Sequence, residues 1–338
     1  MSKPKKIIND PKNVVTELLE GLVEANDGRV KMLDGGRALV KSKIPKDKVA
    51  LLIGGGSGHE PLFHGFIGEN MADGAACGNI FAAPTPDVIL QATKAVNQGK
   101  GVLYLYGNYE GDNMNFDMSA EMAEAEGIEV RTVRIWDDVA SAPPEKMDQR
   151  RGIAGDLLMI KIAGGAAATV NTLEELERIA CKARQNLRSM GVAVSAGSIP
   201  ETGEPTFVLA DDEIEIGMGV HGEPGVGREK MLAADKLTEK MMDKILSDLP
   251  FEKGDQVALL INDLGSTTMM ELLIVNRKLK QIMRDRGITV YGTDMGSYIT
   301  CQEMAGLSIS LLKLDDELKQ YYDMSANSFG YSKYNPTG

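Results

Sequence analysis

The chain has 338 residues, 43% hydrophobic and 25% charged, which is typical of a globular protein long enough for two domains. Its net charge of −12, from 37 basic and 49 acidic residues, argues against nucleic acid or an anionic membrane as a partner. The three cysteines, Cys77, Cys181 and Cys301, are far apart in the sequence, which excludes a cysteine-rich metal site and predicts reduced thiols in a cytoplasmic protein.

Predicted helices and strands alternate through the first half of the chain. Asp10-Pro11 predicts a helix start, and no apolar secretory stretch follows Lys5-Lys6. The further predictions are a strand over 48–53 leading into a glycine loop, a helix from Thr85-Pro86 to Gly99, a strand over 101–106, a loop over 107–112, a methionine-rich helix and a strand over 129–135. This alternation predicts a largely parallel sheet covered by helices.

The second half begins after a change in composition. Residues 153–170 predict a core helix, and Thr172-Leu173-Glu174-Glu175 predicts a capping box for the next one. Because 195–205 is rich in Gly, Pro and Ser, we expect an N-terminal α/β domain over 1–190 and a C-terminal α/β domain over 191–338. Further strands are predicted at 206–209, 213–216, 257–261, near 289 and at 307–314. The expected fold class is therefore α/β, with a mixed or parallel sheet covered by helices in each domain.

Two of the three histidines lie in similar glycine-rich segments in opposite halves. His59 belongs to Gly54-Gly-Gly-Ser-Gly-His-Glu-Pro61, and His221 to Gly219-Val-His-Gly-Glu-Pro-Gly225. Glycine permits positive φ and close approach of a ligand, and neutral imidazole is a competent base and nucleophile. The alternative is two tight turns with structurally satisfied histidines. The shared Glu-Pro tail favours one small-molecule site between two lobes.

The glycine segment lacks the known nucleotide-binding patterns. No P-loop lysine follows it, and a dinucleotide fingerprint would need glycine where His59 or Pro61 stands. We therefore expect no nucleotide site, no metal site and no cofactor in this chain.

Asp112 follows the predicted strand over 101–106. Such an aspartate could act as general base toward a hydroxyl, or it could be a turn residue that bonds its own backbone, and spacing alone leaves both open. His64 is expected to be a packed or surface histidine.

Seven motifs, in order, resemble the substrate-binding subunit of dihydroxyacetone kinase. They run from about residue 50 to 317 and are Gly54–Pro61, Pro84-Thr-Pro-Asp87, Asn108–Phe116, Arg150-Arg-Gly-Ile-Ala154, Gly217–Gly225, Asn262-Asp-Leu-Gly265 and Met304–Lys313. The resemblance implies a two-domain α/β fold, related to the DegV fold, and a homodimer.

The resemblance also implies a mechanism. His221 would trap the carbonyl carbon of a short ketose as a hemiaminal, Asp112 would be the general base on its terminal hydroxyl, and His59 would hydrogen-bond and activate it. Gly55, Gly56, Ser57, Gly58 and Gly107 would lie at the substrate. A separate nucleotide-binding subunit would hold ATP or ADP with Mg²⁺. A phosphotransferase-type donor would rephosphorylate the bound ADP.

The chain departs from the family pattern near the site. Gly107 stands where the family has a substrate-contacting lysine, and Asn79 and Ala83 stand where better-known members have Glu and Ser. Losing a charged hydrogen bond of roughly 1.5–3 kcal/mol would weaken triose binding about ten- to a hundredfold. The space could instead admit a longer ketose such as erythrulose, and a ketose-sensing co-activator of a transcription regulator is a further alternative.

Overall fold

The structure is a computed structural model that describes residues 5–334. Its helices are α1 (Val14–Ala25), α2 (Pro86–Val96), α3 (Glu110–Ala125), α4 (Asp156–Ala167), α5 (Leu173–Gln185), α6 (Ala234–Asp248), α7 (Met269–Asp285) and α8 (Asp316–Asp323). Its strands are β1 (Val30–Met32), β2 (Ala38–Lys41), β3 (Ala50–Ser57), β4 (Gly68–Glu69), β5 (Gly74–Ile80), β6 (Val102–Gly107), β7 (Val130–Ile135), β8 (Leu187–Ser195), β9 (Glu213–Ile216), β10 (Gly227–Lys230), β11 (Gln256–Asp263), β12 (Thr289–Gly296), β13 (Ala305–Leu314), β14 (Ala326–Ser328) and β15 (Ser332–Lys333).

The described chain divides into two compact units. The N-terminal unit contains Lys5–Ile135, Met159–Ala183 and residues 318–334, and the C-terminal unit contains Trp136–Leu158 and Arg184–Glu317. The predicted contiguous division at residue 190 differs from this one, because the chain passes between the units several times. Composition marks linkers, but it does not show that a later segment returns to an earlier unit.

The N-terminal unit contains a six-stranded sheet in the order β1-β2-β5-β3-β6-β7. Strands β5, β3, β6 and β7 are parallel, as the alternation of helices and strands predicted, and β1 and β2 are antiparallel. Helices α2 and α3 cover one face, where Ile89 and Phe116 pack on Leu52 and Tyr104. Burial of this apolar face is the main stabilisation of the unit.

The C-terminal unit contains a second six-stranded sheet in the order β10-β9-β8-β13-β11-β12. Only β11 and β12 pair in parallel, so this sheet is mixed and mainly antiparallel. Helices α6 and α7 pack on it through Met241, Ile245 and Leu279. The expectation of two α/β domains with mixed or parallel sheets is confirmed.

Three local predictions were wrong. Residues Gly54–Gly56 continue strand β3 instead of forming a loop, Asp112 lies in the first turn of α3, and 206–209 is not a strand. In the described part of the chain, every helix is too short or too polar to cross a membrane.

Candidate functional site

The glycines of β3 are required by the packing of the protein itself. A Cβ on Gly54 would lie 3.0 Å from the ring of Phe116, and one on Gly56 would lie 2.8 Å from the backbone nitrogen of Ala82. Gly58 has φ of +106°, and a Cβ there would press on the Phe81 ring. Gly54 therefore lets β3 approach Phe116, and Gly56 and Gly58 let the end of β3 and the residue after it approach Phe81 and Ala82. The sequence alone did not reveal this reason.

His59 lies two residues after the end of β3 and is buried. Its ring lies 5.0 Å from that of Phe81, and its side chain is 2% exposed. The neighbouring Ser57 donates its hydroxyl to the carbonyl of Gly78 at 2.8 Å, and the Glu60 carboxylate accepts from the backbone N–H of Gly58 at 2.7 Å. Burial raises the pKa of Glu60.

Asp112 lies in the first turn of α3, directly after β6. A helix N-terminus favours a carboxylate because the backbone N–H groups there point toward it. Asn115 anchors this turn by donating to the carbonyl of Pro84 at 2.8 Å. Strands β3 and β6 pair in parallel, so His59 and Asp112 follow the carboxyl ends of adjacent strands, the usual place for a ligand in an α/β sheet.

His221 lies in the C-terminal unit, in the connection between the paired strands β9 and β10. The Glu223 carboxylate accepts from the backbone N–H of His221 at 2.9 Å and contacts ring atom Nδ1 at 2.7 Å. Burial would raise the pKa of Glu223, but hydrogen bonds from the ring and backbone of His221 outweigh it and lower that pKa to about 2. The carboxylate therefore stays charged at neutral pH and fixes the orientation of the ring.

Arg151 also borders the His221 loop. It donates to Asp138 at 2.7 Å and to the carbonyl of Gly217 at 3.1 Å. A Cβ on Gly219 would overlap both the Glu223 carboxylate and the Arg151 guanidinium, so these two groups approach the same point. Arg151 lies in the Arg150-Arg-Gly-Ile-Ala154 motif, but the sequence alone did not indicate its contact with the His221 loop.

The motifs that contain Asn262 and Arg150 have structural roles. Asn262 accepts from the backbone N–H groups of Tyr298 and Ile299 and donates to Ser308, which fixes the end of β11. Arg150 is fully buried and forms a bidentate pair with Asp248. In the described residues, no three His, Cys, Asp or Glu side chains are grouped to hold a metal ion.

His64 is a packed histidine, as expected. It is 3% exposed, and burial lowers its pKa to about 4, so its ring is neutral. Cys77 is also buried, with its Sγ 3.9 Å from Nδ1 of His64. Burial raises the pKa of the Cys77 thiol to about 12. Both groups are therefore uncharged at neutral pH.

The predicted meeting of His59 and Asp112 with His221 stays a prediction. The first two belong to the N-terminal unit and the third to the C-terminal unit. Gly107, the last residue of β6, is buried at the edge where Asp112 lies.

Comparison with known proteins gives consistent matches along the chain. Residues 20–330 match the family described as the Dak1 domain. The chain is 42% identical over 321 residues to the dihydroxyacetone-binding subunit DhaK of the PTS-dependent dihydroxyacetone kinase 2 of Listeria innocua, covering 94% of this chain and 96% of that protein. It is 38% identical to D-erythrulose kinase of Mycolicibacterium smegmatis, covering 97% of this chain but 56% of that one.

Two solved structures share the fold closely. The dihydroxyacetone kinase from C. freundii in complex with AMP-PNP and Mg²⁺ superposes with a TM-score of 0.90 and 31% identity, over 97% of this chain and 61% of that one. The dihydroxyacetone kinase operon co-activator Dha-DhaQ superposes with a TM-score of 0.89 and 30% identity, over 94% of this chain and 98% of that one.

Proposed function

The chain belongs to the Dak1 family, as a member of its DhaK subunits, and from that premise we propose that it binds a short ketose covalently on His221 for phosphorylation. The proposed reaction is transfer of a phosphoryl group to the terminal hydroxyl of the ketose. Dihydroxyacetone is the first candidate substrate. The observation that carries this proposal is the contact between His221 Nδ1 and the Glu223 carboxylate at 2.7 Å.

This contact prepares His221 as a nucleophile. An ionised carboxylate only accepts hydrogen bonds, so Nδ1 donates to Glu223, and in the uncharged form of the ring the lone pair would then lie on Nε2. A carboxylate partner of this kind orients the ring and holds the productive tautomer in many catalytic histidines.

The covalent step is an addition. Nε2 forms a bond to the carbonyl carbon of the ketose, the π electrons of the carbonyl move to its oxygen, and that oxygen takes up a proton to give the hemiaminal hydroxyl. The ring gains positive charge as the bond forms, and the adjacent Glu223 carboxylate stabilises it. Glycerol has no electrophilic carbon and cannot react in this way.

The N-terminal unit supplies the proposed base and the substrate cradle. Asp112 takes the proton of the terminal hydroxyl as the phosphorus–oxygen bond forms, and His59 donates a hydrogen bond to the substrate. The backbone of Gly55–Gly58, together with Gly107, lies at the ketose. Because the Ser57 hydroxyl donates to Gly78, we assign the substrate contact of that residue to its backbone.

Phosphate comes from a nucleotide held elsewhere. Adenine nucleotide with Mg²⁺ on a separate subunit would supply the phosphoryl group, and a phosphotransferase-type donor would regenerate it. This donor route is supported by the similarity to the Listeria relative, which is a subunit of a PTS-dependent kinase. We further propose a cytoplasmic homodimer.

The residue at position 107 favours a second candidate substrate. Glycine there provides no ammonium group to bind a triose and leaves room for one more hydroxymethyl group. The D-erythrulose kinase relative and two L-erythrulose kinases with 36% identity support a tetrose.

The alternative, non-catalytic function is that of a ketose-sensing co-activator of a transcription regulator. The similarity to the co-activator Dha-DhaQ supports it. A sensor needs only the covalent trap. The presence of Asp112 and His59 favours catalysis.

A substrate panel with the native nucleotide-binding subunit tests these proposals. We expect sugar phosphate from dihydroxyacetone, D-erythrulose or L-erythrulose, measured as kcat/KM for each. A clear triose preference would remove the tetrose candidate. Ketose binding without any phosphate product would identify a sensor.

Gly107→Lys provides the matched variant for this panel. If position 107 sets substrate length, the added ammonium should shift kcat/KM toward the triose by about tenfold or more, the worth of a charged hydrogen bond. An unchanged ratio would contradict that role.

A further inference from the structure

A cavity of about 710 Å³ lies in the N-terminal unit, away from every residue assigned above. Its lining includes Lys41 at the end of β2 and Lys48 just before β3, together with residues of 164–171 after the middle of α4. Since β3 starts here and His59 follows its other end, the cavity lies at the opposite edge of the sheet from His59 and Asp112. The proposed ketose site therefore leaves it unexplained.

Two ammonium groups at this cavity share a single carboxylate. Lys41 Nζ donates to one oxygen of Asp73 at 2.9 Å, and Lys48 Nζ donates to the other. Asp73 is fully buried, whereas the lysine side chains are 14% and 12% exposed. One positive charge is therefore left over in a partly desolvated position, where charges interact more strongly than in water.

The titration behaviour of this cluster agrees with an excess of positive charge. Burial lowers the pKa of Lys48; Asp73 opposes that effect and the neighbouring Lys41 adds to it. An anion entering the cavity would relieve both the burial cost and the repulsion between the two lysines.

The remaining charged side chains of the lining are exposed. Arg29, Lys43 and Lys46 are basic, and Asp27, Asp47 and Glu69 are acidic. With Lys41 and Lys48, the lining has five basic and three acidic side chains, and Asp73, which lies outside the lining and contacts both lysines, reduces the excess to one positive charge. The whole chain, in contrast, is acidic. The cavity is thus a local basic site on an acidic protein.

The size and lining of the cavity indicate more than a bare ion. Ligand pockets typically measure roughly 300–1,000 Å³ and combine apolar walls with a few polar groups. Val30, Ile67 and Val170 provide apolar surface here, and Ser42 and Asn171 provide hydrogen-bonding groups. We propose that this cavity binds a small phosphate monoester, with its phosphate toward Lys41 and Lys48 and its polar body toward Ser42 and Asn171.

Lysine suits this ligand, because ammonium groups bind phosphate as compact point charges. The ligand would bind independently of the ketose, since the two sites lie at opposite edges of the sheet. A His221→Ala variant should accordingly bind it unchanged, which separates this proposal from the ketose proposal.

Isothermal titration of the full chain with glycerol phosphate and, separately, inorganic phosphate tests the site. We expect saturable binding that is tighter for the ester and weakens with added salt. No saturable binding, or binding of inorganic phosphate as tight as that of the ester, would overturn the proposal.

A pair of variants locates the site. Lys43→Gln with Lys46→Gln removes two exposed charges, and we expect about three- to tenfold weaker binding of the ester. The matched control is Lys31→Gln with Lys244→Gln, which removes the same charge at exposed positions outside the lining. An equal loss of affinity for the ester in both double variants would overturn the location, because the loss would then depend only on the net charge of the protein. Since the four positions are exposed, these variants test the site without disturbing the buried Asp73 cluster.

Discussion

The loops of His59 and His221 end in the same Glu-Pro pair, but the carboxylates of their glutamates contact different groups. In both, the carboxylate accepts from the backbone N–H two residues earlier, Gly58 in one loop and His221 in the other. Because histidine itself occupies that position in the second loop, its ring also reaches the carboxylate. A shift of one residue in the spacing between histidine and glutamate thus changes the role of the pair.

The electrostatics of the two glutamates follow this difference. Burial dominates at Glu60 and raises its pKa, whereas at Glu223 the His221 hydrogen bonds outweigh burial and lower the pKa to about 2. The histidines differ as well. His59 is buried against Phe81, and the His221 side chain is 24% exposed. Under the proposed function, the C-terminal loop would trap the ketose and the N-terminal loop would assist.

Exchanging each histidine for alanine tests this division most strongly. His221→Ala should abolish the ketose adduct in intact-mass measurements because it removes the nucleophile, whereas His59→Ala should retain a weaker adduct. Survival of the adduct in His221→Ala would show that another group is the nucleophile.

Asp112 should separate trapping from turnover. Asp112→Asn keeps the shape of the side chain but cannot take a proton, so we expect the adduct to persist while kcat falls about 10²–10⁴-fold. Sugar-phosphate formation with the partner subunit measures turnover. Full turnover in the variant would contradict the general-base role.

His64 has no counterpart in the His221 loop and should affect acid stability. Its pKa is about 4 in the folded chain and 6.5 in the reference state, so the unfolded chain binds the additional proton. The free energy of unfolding should fall as the pH drops from 6.5 to 4, by about 3 kcal/mol from this group. Urea unfolding at several pH values measures this slope, and His64→Gln should flatten it. The same slope in the variant would assign the acid sensitivity to other groups.

The two glutamates provide the finest test of the comparison. Glu223→Gln removes the charge that stabilises the imidazolium, so the equilibrium constant for the adduct should fall about ten- to a hundredfold. Glu60→Gln is the matched control and should leave the adduct nearly unchanged. Equal losses would mean that both glutamates only hold their loops.

Periodicity in the sequence predicted the helices and central strands well, because buried faces require regular apolar spacing. It did not predict that Gly54–Gly56 remain in β3. Glycine usually signals a turn, but here it makes room for Phe63, which is nearby in the sequence, and for Phe81-Ala82 and Phe116, which are far away. The placement of Asp112 in a helix was missed because no capping signal at Tyr109 marks the start of α3.

The candidate site was predictable only at the level of residue types. The glycine-histidine segments and the family motifs indicated His59, Asp112 and His221, whereas the tasks of Glu223 and Arg151 depend on side-chain distances. Nor did the lysines around Asp73 form a motif, because 32 and 25 residues separate them from it.

The small sheet of β4, β14 and β15 determines when the N-terminal unit can be completed during synthesis. Strand β4 pairs with Asn327 and Ser328, and buried Lys161 donates to the carbonyl of Tyr321. A ribosome must therefore translate the chain through at least Ser328 before strand β4, near the start of the N-terminal unit, acquires its partner strand. Fragments ending near residue 190 would leave Gly68 and Lys161 without these contacts, so truncation there would remove part of the N-terminal unit itself.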